Sequence, residues 1–121
     1  MKLANALSLN DRIKHIIEDK TMDDVSFKFK LLTIAKELEP FVLNFQTIRN
    51  EKIKEYGTEG EDGTIAISID DRDAIQKFSD DMNPLLNTDI TVNMTKLNAA
   101  EAFNKGLSSE QLVDLYEIIE E

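Results

Sequence analysis

Seven large apolar residues recur at alternating intervals of four and three positions in the first half of the chain. These seam residues are Phe27, Leu31, Ile34, Leu38, Phe41, Phe45 and Ile48. This spacing places them on one face of an α-helix. The pattern therefore predicts a long helix that begins near Asp23 or Asp24, either of which can cap its N terminus. Ile53 and Tyr56 continue the apolar face with its register shifted by one position, and Gly57 is expected to end the helix.

Two local features complicate the prediction of this helix. Pro40 lies in its middle, where proline removes a backbone hydrogen bond and costs about 3 kcal/mol unless the helix bends. We therefore expect a kink near Glu39 and Pro40. The opening Val25–Leu31 also alternates between apolar and polar residues, so a strand remains an alternative there.

The seam itself has two interpretations. It can pack against other helices of the same domain, or it can form a seam with a second chain. Its three phenylalanines, Phe27, Phe41 and Phe45, favour a thick globular core over a narrow coiled-coil contact, in which branched aliphatic residues dominate. We expect the seam residues from Phe27 to Phe45 to be mostly buried.

Shorter helices are predicted on both sides of this segment. A first helix spans about Leu9 to Asp19, with Ser8 and Asp11 as a capping pair. A third helix is capped by Asp70 or Asp71 and closed by Pro84 and Asn87; its apolar face carries Ile75, Phe78, Met82 and Leu85. A short helical turn covers Ala99–Phe103. Ser108 or Ser109 caps a last helix with the stripe Leu112, Tyr116 and Ile119.

Two segments alternate in the manner of strands, Thr64–Ile69 and Thr88–Met94. Two strands alone are marginal, so they must pack against the helices. The sequence thus predicts an α+β fold that is predominantly helical, with a long kinked helix, two short strands and shorter packing helices. A length of 121 residues fits one domain, 1–121.

Composition excludes several classes of function. The chain contains no cysteine, which rules out disulfides, cysteine-zinc sites and thiol catalysis. No run approaches the roughly 20 apolar residues of a membrane span, and no signal-peptide core is visible, so we expect no membrane association.

The charge is distributed unevenly. Residues 1–56 carry ten Lys and Arg against nine Asp and Glu, whereas residues 57–121 carry four against fifteen. Such an acidic half repels nucleic-acid phosphate, so we expect no direct nucleic-acid binding. It suits a basic protein partner or serves only solubility. The candidate partner-binding residues are Asp70, Asp73, Asp80, Asp81 and Asp89.

No motif predicts catalysis or a cofactor. Residues 58–69 resemble part of an EF-hand loop but lack three of the oxygen ligands that calcium requires. His15 is the only histidine, and the four glycines fit no phosphate-binding loop. The pairs Asp70-Asp71 and Asp80-Asp81 point in different directions on a helix, so neither pair forms a site by itself. Catalytic residues, metals and cofactors are therefore expected to be none.

Several stretches resemble a family of small proteins of unknown function encoded by tailed bacteriophages and prophages. They are Leu38-Glu39-Pro40-Phe41, Arg49-Asn50-Glu51-Lys52-Ile53-Lys54-Glu55-Tyr56-Gly57, Leu85-Leu86-Asn87-Thr88-Asp89-Ile90 and Leu107-Ser108-Ser109-Glu110-Gln111-Leu112. The resemblance covers roughly residues 25–120, and the order of elements matches better than any single motif. It implies a phage source, with the host cytoplasm or the virion as location, and no catalytic residues.

Two functional hypotheses follow. The first is a non-enzymatic phage accessory protein that binds another protein, of phage or host, in virion assembly or host takeover; its oligomeric state is left open. The alternative is an inhibitor of a host defence or nucleic-acid enzyme that mimics nucleic acid with its acidic half. A mimic should place the five candidate aspartates on one face.

Overall fold

A computed structural model describes residues 1–19, 23–93, 95–104 and 108–120. Five helices account for most of these residues: α1 (Leu3–Glu18), α2 (Val25–Tyr56), α3 (Arg72–Leu86), α4 (Ala99–Asn104) and α5 (Ser109–Asp114). Four short strands are β1 (Thr58–Glu59), β2 (Ile65–Ala66), β3 (Leu97–Asn98) and β4 (Ile119–Glu120), the last preceded by a 3₁₀ turn, Tyr116–Ile118. The predicted α+β class, predominantly helical with one long helix, is confirmed.

The long helix α2 begins where the sequence predicts. The Asp24 carboxylate accepts a hydrogen bond from the Phe27 N–H at 2.8 Å and caps the first turn. Val25–Leu31 is helical, so the alternative of a strand there is wrong. The helix continues through Pro40 without interruption, and the kink at that residue stays a prediction.

Gly57 ends α2, although not through a left-handed backbone conformation, since its φ is −88°. Its N–H donates to the Ile53 carbonyl at 2.7 Å. A Cβ at Gly57 would lie 2.5 Å from the Ile53 carbonyl oxygen and 2.9 Å from that of Ala66. Glycine is needed here because β2 approaches the end of the helix closely.

The core joins both ends of the chain to the first half of α2. Its buried residues are Ala6, Leu9, Ile13, Ile16, Phe27, Leu31, Ile34, Leu38, Leu97, Ala102, Leu115 and Ile118. Burial of the seam, predicted for Phe27 to Phe45, is confirmed for the residues from Phe27 to Leu38, whereas Phe41 and Phe45 are only half-buried. Ile48, which lies beyond the predicted range, is exposed. The first half of α2 packs on α1 and the C-terminal segment. The second half lies beside α3, β2, the start of α1 and the segment that contains Thr88 and Ile90, but none of its residues is buried.

The first helix begins six residues earlier than predicted, at Leu3 rather than Leu9, and Ser8 lies inside it rather than at its cap. Lys2 occupies the cap position without a side-chain hydrogen bond. The Leu3 N–H donates instead to the Thr88 carbonyl at 2.9 Å, and the Ile90 N–H donates to the Met1 carbonyl at 2.8 Å. A segment distant in sequence therefore satisfies the groups that a local cap would satisfy.

Both predicted strands are mostly absent. The segment Thr64–Ile69 contributes only β2, which pairs antiparallel with β1 through an exposed hairpin. The segment Thr88–Met94 makes a single bridge, from Asp89 to Lys2, among its described residues, and Met94 lies outside them. Its neighbour is the short N terminus before α1, which is too short to extend a ladder. The parallel pair β3–β4 was not predicted.

The third helix follows its prediction closely. Asp71 caps it by accepting from the Ala74 N–H at 3.0 Å, and Asn87 is its C-cap. On the predicted face, Met82 is buried, Phe78 and Leu85 are half-buried, and Ile75 is exposed.

The C-terminal segment departs further from its prediction. Ser108 caps α5, since its Oγ accepts from the Gln111 N–H at 3.1 Å. The stripe Leu112, Tyr116 and Ile119 is wrong as a helical face, because α5 ends at Asp114 and Tyr116 is exposed; the side chain of Leu112 lies outside the described residues. Leu115 and Ile118 are buried instead. The predicted turn at Ala99–Phe103 is confirmed as α4.

Candidate interaction surfaces

The solvent-facing side of α2 carries a second heptad pattern, which we call the outer stripe. Its residues are Val25, Phe29, Leu32, Lys36, Glu39 and Leu43. Each of them lies two positions before one of the seam residues from Phe27 to Phe45, and two positions correspond to about 200° around a helix. The outer stripe therefore faces away from the core.

Exposure of the apolar members is large. Val25 is 81% exposed, Phe29 70%, Leu32 49% and Leu43 51%. Scattered apolar residues on a protein surface need no explanation, but a cluster of large exposed ones is typical of interaction sites. Val25, Phe29 and Leu32 lie within about two turns of the helix, and Leu43 follows after the charged Lys36 and Glu39. Sequence reasoning missed this stripe, although the offset heptad is visible in the sequence.

A groove of about 900 Å³ runs along the stripe between α1 and α2. Its lining mixes apolar and charged residues: Asn10, Lys14, Phe29, Leu32, Thr33, Ala35, Lys36, Glu37, Glu39, Val42, Leu43 and Gln46. Glu37 is held in place at its edge, because its two carboxylate oxygens accept from the Thr95 N–H at 3.0 Å and the Thr95 hydroxyl at 2.9 Å. A lining that mixes apolar and charged side chains is typical of grooves that accept an amphipathic helix.

The candidate aspartates do not form one surface. Asp70 immediately precedes the α3 cap, and Asp73 and Asp80 lie two turns apart on the exposed side of α3. Lys77 pairs with Asp73 at 3.4 Å, and the Gln76 side chain donates to Asp80 at 2.8 Å. Asp89 lies beyond the other end of the helix, bridged to Lys2.

Asp81 belongs to a contact between α2 and α3, which we call the Tyr56 clasp. Its carboxylate accepts from the Tyr56 hydroxyl and lies 3.4 Å from the Lys52 ammonium. The Tyr56 hydrogen bond lowers the pKa of Asp81, and Lys52 acts in the same direction. The same hydrogen bond raises the pKa of Tyr56. Hydrogen bonds to Glu55 and Asp81 raise the pKa of Lys52.

The loop that resembles part of an EF-hand is a tight hairpin turn. The Asp62 carboxylate accepts from the Thr64 N–H at 3.0 Å, and this hydrogen bond lowers the pKa of Asp62. Gly63 has a φ of +81°, a left-handed conformation that favours glycine. These contacts account for the Asp62-Gly63 pair as turn chemistry.

Within the described ranges, no three His, Asp or Glu side chains come together as a metal site. None of the helices in those ranges is long and apolar enough to cross a membrane. Comparison with protein-family models, with curated proteins and with solved structures finds no match to the chain.

Proposed function

We propose that the chain is a phage-encoded accessory protein without enzymatic activity that binds another protein through the outer stripe of α2, in virion assembly or host takeover. The observation that carries the proposal is the row of exposed apolar side chains along the groove. Phe29, Leu32 and Leu43 leave much of their apolar surface in water in the isolated chain. Covering such a surface is favourable by roughly 25 cal/mol per Å² of apolar area.

The phage source rests on the sequence resemblance over residues 25–120. The host cytoplasm or the virion is the location that belongs to such a source. The mixed apolar and charged lining of the groove suits a protein partner.

The acidic mimic remains the second candidate, and the shared exposed side of Asp73 and Asp80 favours it. Two arrangements weigh against it. Asp81 is engaged by Tyr56 and Lys52, so part of its charge is compensated within the chain. Asp89 lies beyond the far end of α3, next to Lys2.

Matched variants separate the two candidates. Phe29→Ser with Leu32→Ser removes two apolar groups from the groove. Ile69→Ser with Val113→Ser removes two apolar groups elsewhere, at positions 85% and 69% exposed. A third variant replaces Asp70, Asp73, Asp80 and Asp81 with Asn.

The tagged chain first captures a partner from infected or lysogenic host cells, and the purified partner is then titrated against each variant at low and high salt. We expect the groove variant to lose about 2 kcal/mol or more of binding free energy, as apolar anchors do, and the control to bind normally. If only the aspartate variant lost binding to the partner, and salt weakened the binding of the natural chain steeply, the result would favour the mimic and contradict our proposal. Normal folding of each variant is checked by circular dichroism.

A further inference from the structure

We infer that the partner on the outer stripe is a second copy of this chain, whose α2 packs antiparallel against the first. This inference rests on the proposed function, because it assigns an occupant to the same surface. The argument starts from the order of residues along the stripe. Two apolar residues, Leu32 and Leu43, flank a central pair of opposite charges, Lys36 and Glu39, and all four are exposed.

That order is self-complementary under a two-fold axis. When two copies of α2 run antiparallel with the axis between Lys36 and Glu39, Lys36 of each copy meets Glu39 of the other. Leu32 of each copy then meets Leu43 of the other. A two-fold interface uses the same patch on both chains, so each favourable contact occurs twice.

The outward continuation of the stripe fits the same register. Phe29 meets Gln46 of the second copy, and Val25 meets Asn50; both Gln46 and Asn50 are exposed. In this register the two ion pairs lie at the centre, the Leu32–Leu43 contacts flank them, and the apolar Phe29 and Val25 meet polar residues at the ends.

A parallel arrangement is disfavoured by the same residues. In that arrangement each residue meets its own equivalent, so Lys36 would face Lys36 and Glu39 would face Glu39. Like charges directly opposed at an interface are repulsive, whereas the antiparallel pair converts both contacts into ion pairs and is therefore favoured. Polar residues at heptad positions are known to select register and orientation in this manner.

Charge reversal tests the register directly. Lys36→Glu places two acidic groups opposite each other twice in the antiparallel pair, and Glu39→Lys does the same with basic groups. We expect each single variant to self-associate about tenfold more weakly than the natural chain in analytical ultracentrifugation. An equimolar mixture of the two variants restores both ion pairs and should associate like the natural chain, as should the double variant.

The mixture is the decisive sample. Each single reversal also alters the interaction between residues 36 and 39 within one helix, but mixing cannot repair an effect inside one chain. Weaker association of both single variants, together with restored association in the mixture, supports the antiparallel pair. In a parallel pair the single reversals would keep like charges opposed as in the natural chain, so the single variants would associate as the natural chain does and only the mixture would differ. A natural chain that stays monomeric at high micromolar concentration, or a mixture as weak as its components, would overturn it.

Failure here is distinguishable from failure of the proposed function. If the natural chain is monomeric while the Phe29→Ser and Leu32→Ser variant still loses a captured partner, the surface binds a different protein and only the present inference falls. If neither self-association nor capture responds to that variant, both proposals fall.

Discussion

The two halves of α2 carry the same heptad seam but lie in different surroundings. In the first half, Phe27, Leu31, Ile34 and Leu38 are all buried in the core. In the second half, no described residue of the helix is buried. Phe41, Phe45 and Ile48 there border a small cavity of about 140 Å³ beside Leu85 of α3.

The difference follows from the lengths of the neighbouring elements. A helix rises about 1.5 Å per residue, so α1, with 16 residues, is about 24 Å long, whereas α2, with 32, is about 48 Å long. Alignment with α1 can therefore cover only about half of α2. A periodic seam shows which face of a helix is apolar, but the length of its neighbours decides how much of that face is buried.

One substitution in each half of α2 tests this contrast, and it gives the largest expected difference in stability. Phe27→Ala removes a side chain that is 2% exposed and should lower the free energy of unfolding by about 3–5 kcal/mol. Phe45→Ala removes a half-buried ring beside an existing cavity and should cost only about 1–2 kcal/mol. Urea denaturation of both variants measures the two losses.

Equal losses would contradict the division of α2 into a buried and a partly exposed half. A loss at Phe45 as large as that at Phe27 would also restore the expectation from the seam alone, in which both rings are core residues. Leu32→Ala is a suitable control, because it truncates an exposed residue next to the buried Leu31 and should change stability little.

A smaller loss of stability is expected at the contact between the C-terminal segment and α1, which packs on the buried half of α2. Arg12 of α1 makes a two-point ion pair with Glu117 at 3.1 and 2.8 Å, and the side chains are only 23% and 12% exposed. Arg12→Ala would leave the Glu117 carboxylate partly buried without this partner. It should cost about 1–3 kcal/mol in urea denaturation.

Lys77→Ala is the matched control for that substitution. It breaks an exposed ion pair with Asp73 on α3 and should leave stability unchanged within error. If the two substitutions had equal effects, the Arg12 pair would contribute no more than a surface contact, and the C-terminal segment would depend on apolar packing and on its other hydrogen bonds, such as that from Gln111 to Asp19.

The sequence predicted those parts of the fold that depend on local chemistry. Asp24, Asp71 and Ser108 cap their helices through hydrogen bonds to residues three positions away, and such spacings can be read directly. The start of α1 could not be predicted, because its first N–H donates to Thr88. The β3–β4 pair likewise joins segments far apart in the chain, where no local pattern signals the contact.

The candidate surface was harder to predict than the fold. Sequence reasoning selected five aspartates by net charge, and charge alone does not show that Asp81 contacts α2 while Asp89 contacts the N terminus. The outer stripe has a regular spacing, but its central Lys36 and Glu39 make it look like an ordinary solvated face. Only the positions of α1 and the buried seam show that Phe29 and Leu32 remain uncovered.

The smallest expected effect concerns the Tyr56 clasp, which fastens the partly exposed half of α2 to α3. Tyr56→Phe removes the hydroxyl that donates to Asp81 and keeps the ring. The pKa of Asp81 is lowered in the folded protein, so its share of stability is present above the ordinary value of 3.8 and is lost as the pH falls through the folded value. The pKa of Tyr56 is raised above 10.0 in the folded protein, so the contribution of its hydroxyl to stability is present below that value and is lost as the pH rises through the folded-state pKa.

The natural chain should therefore be slightly more stable than the variant near neutral pH, and thermal melts should show the two melting temperatures converging at both acidic and strongly alkaline pH. A difference in melting temperature that stays constant across this range would mean that the Tyr56 hydroxyl contributes nothing through its hydrogen bond to Asp81, and that the Lys52–Asp81 ion pair is the remaining polar contact between α2 and α3 here.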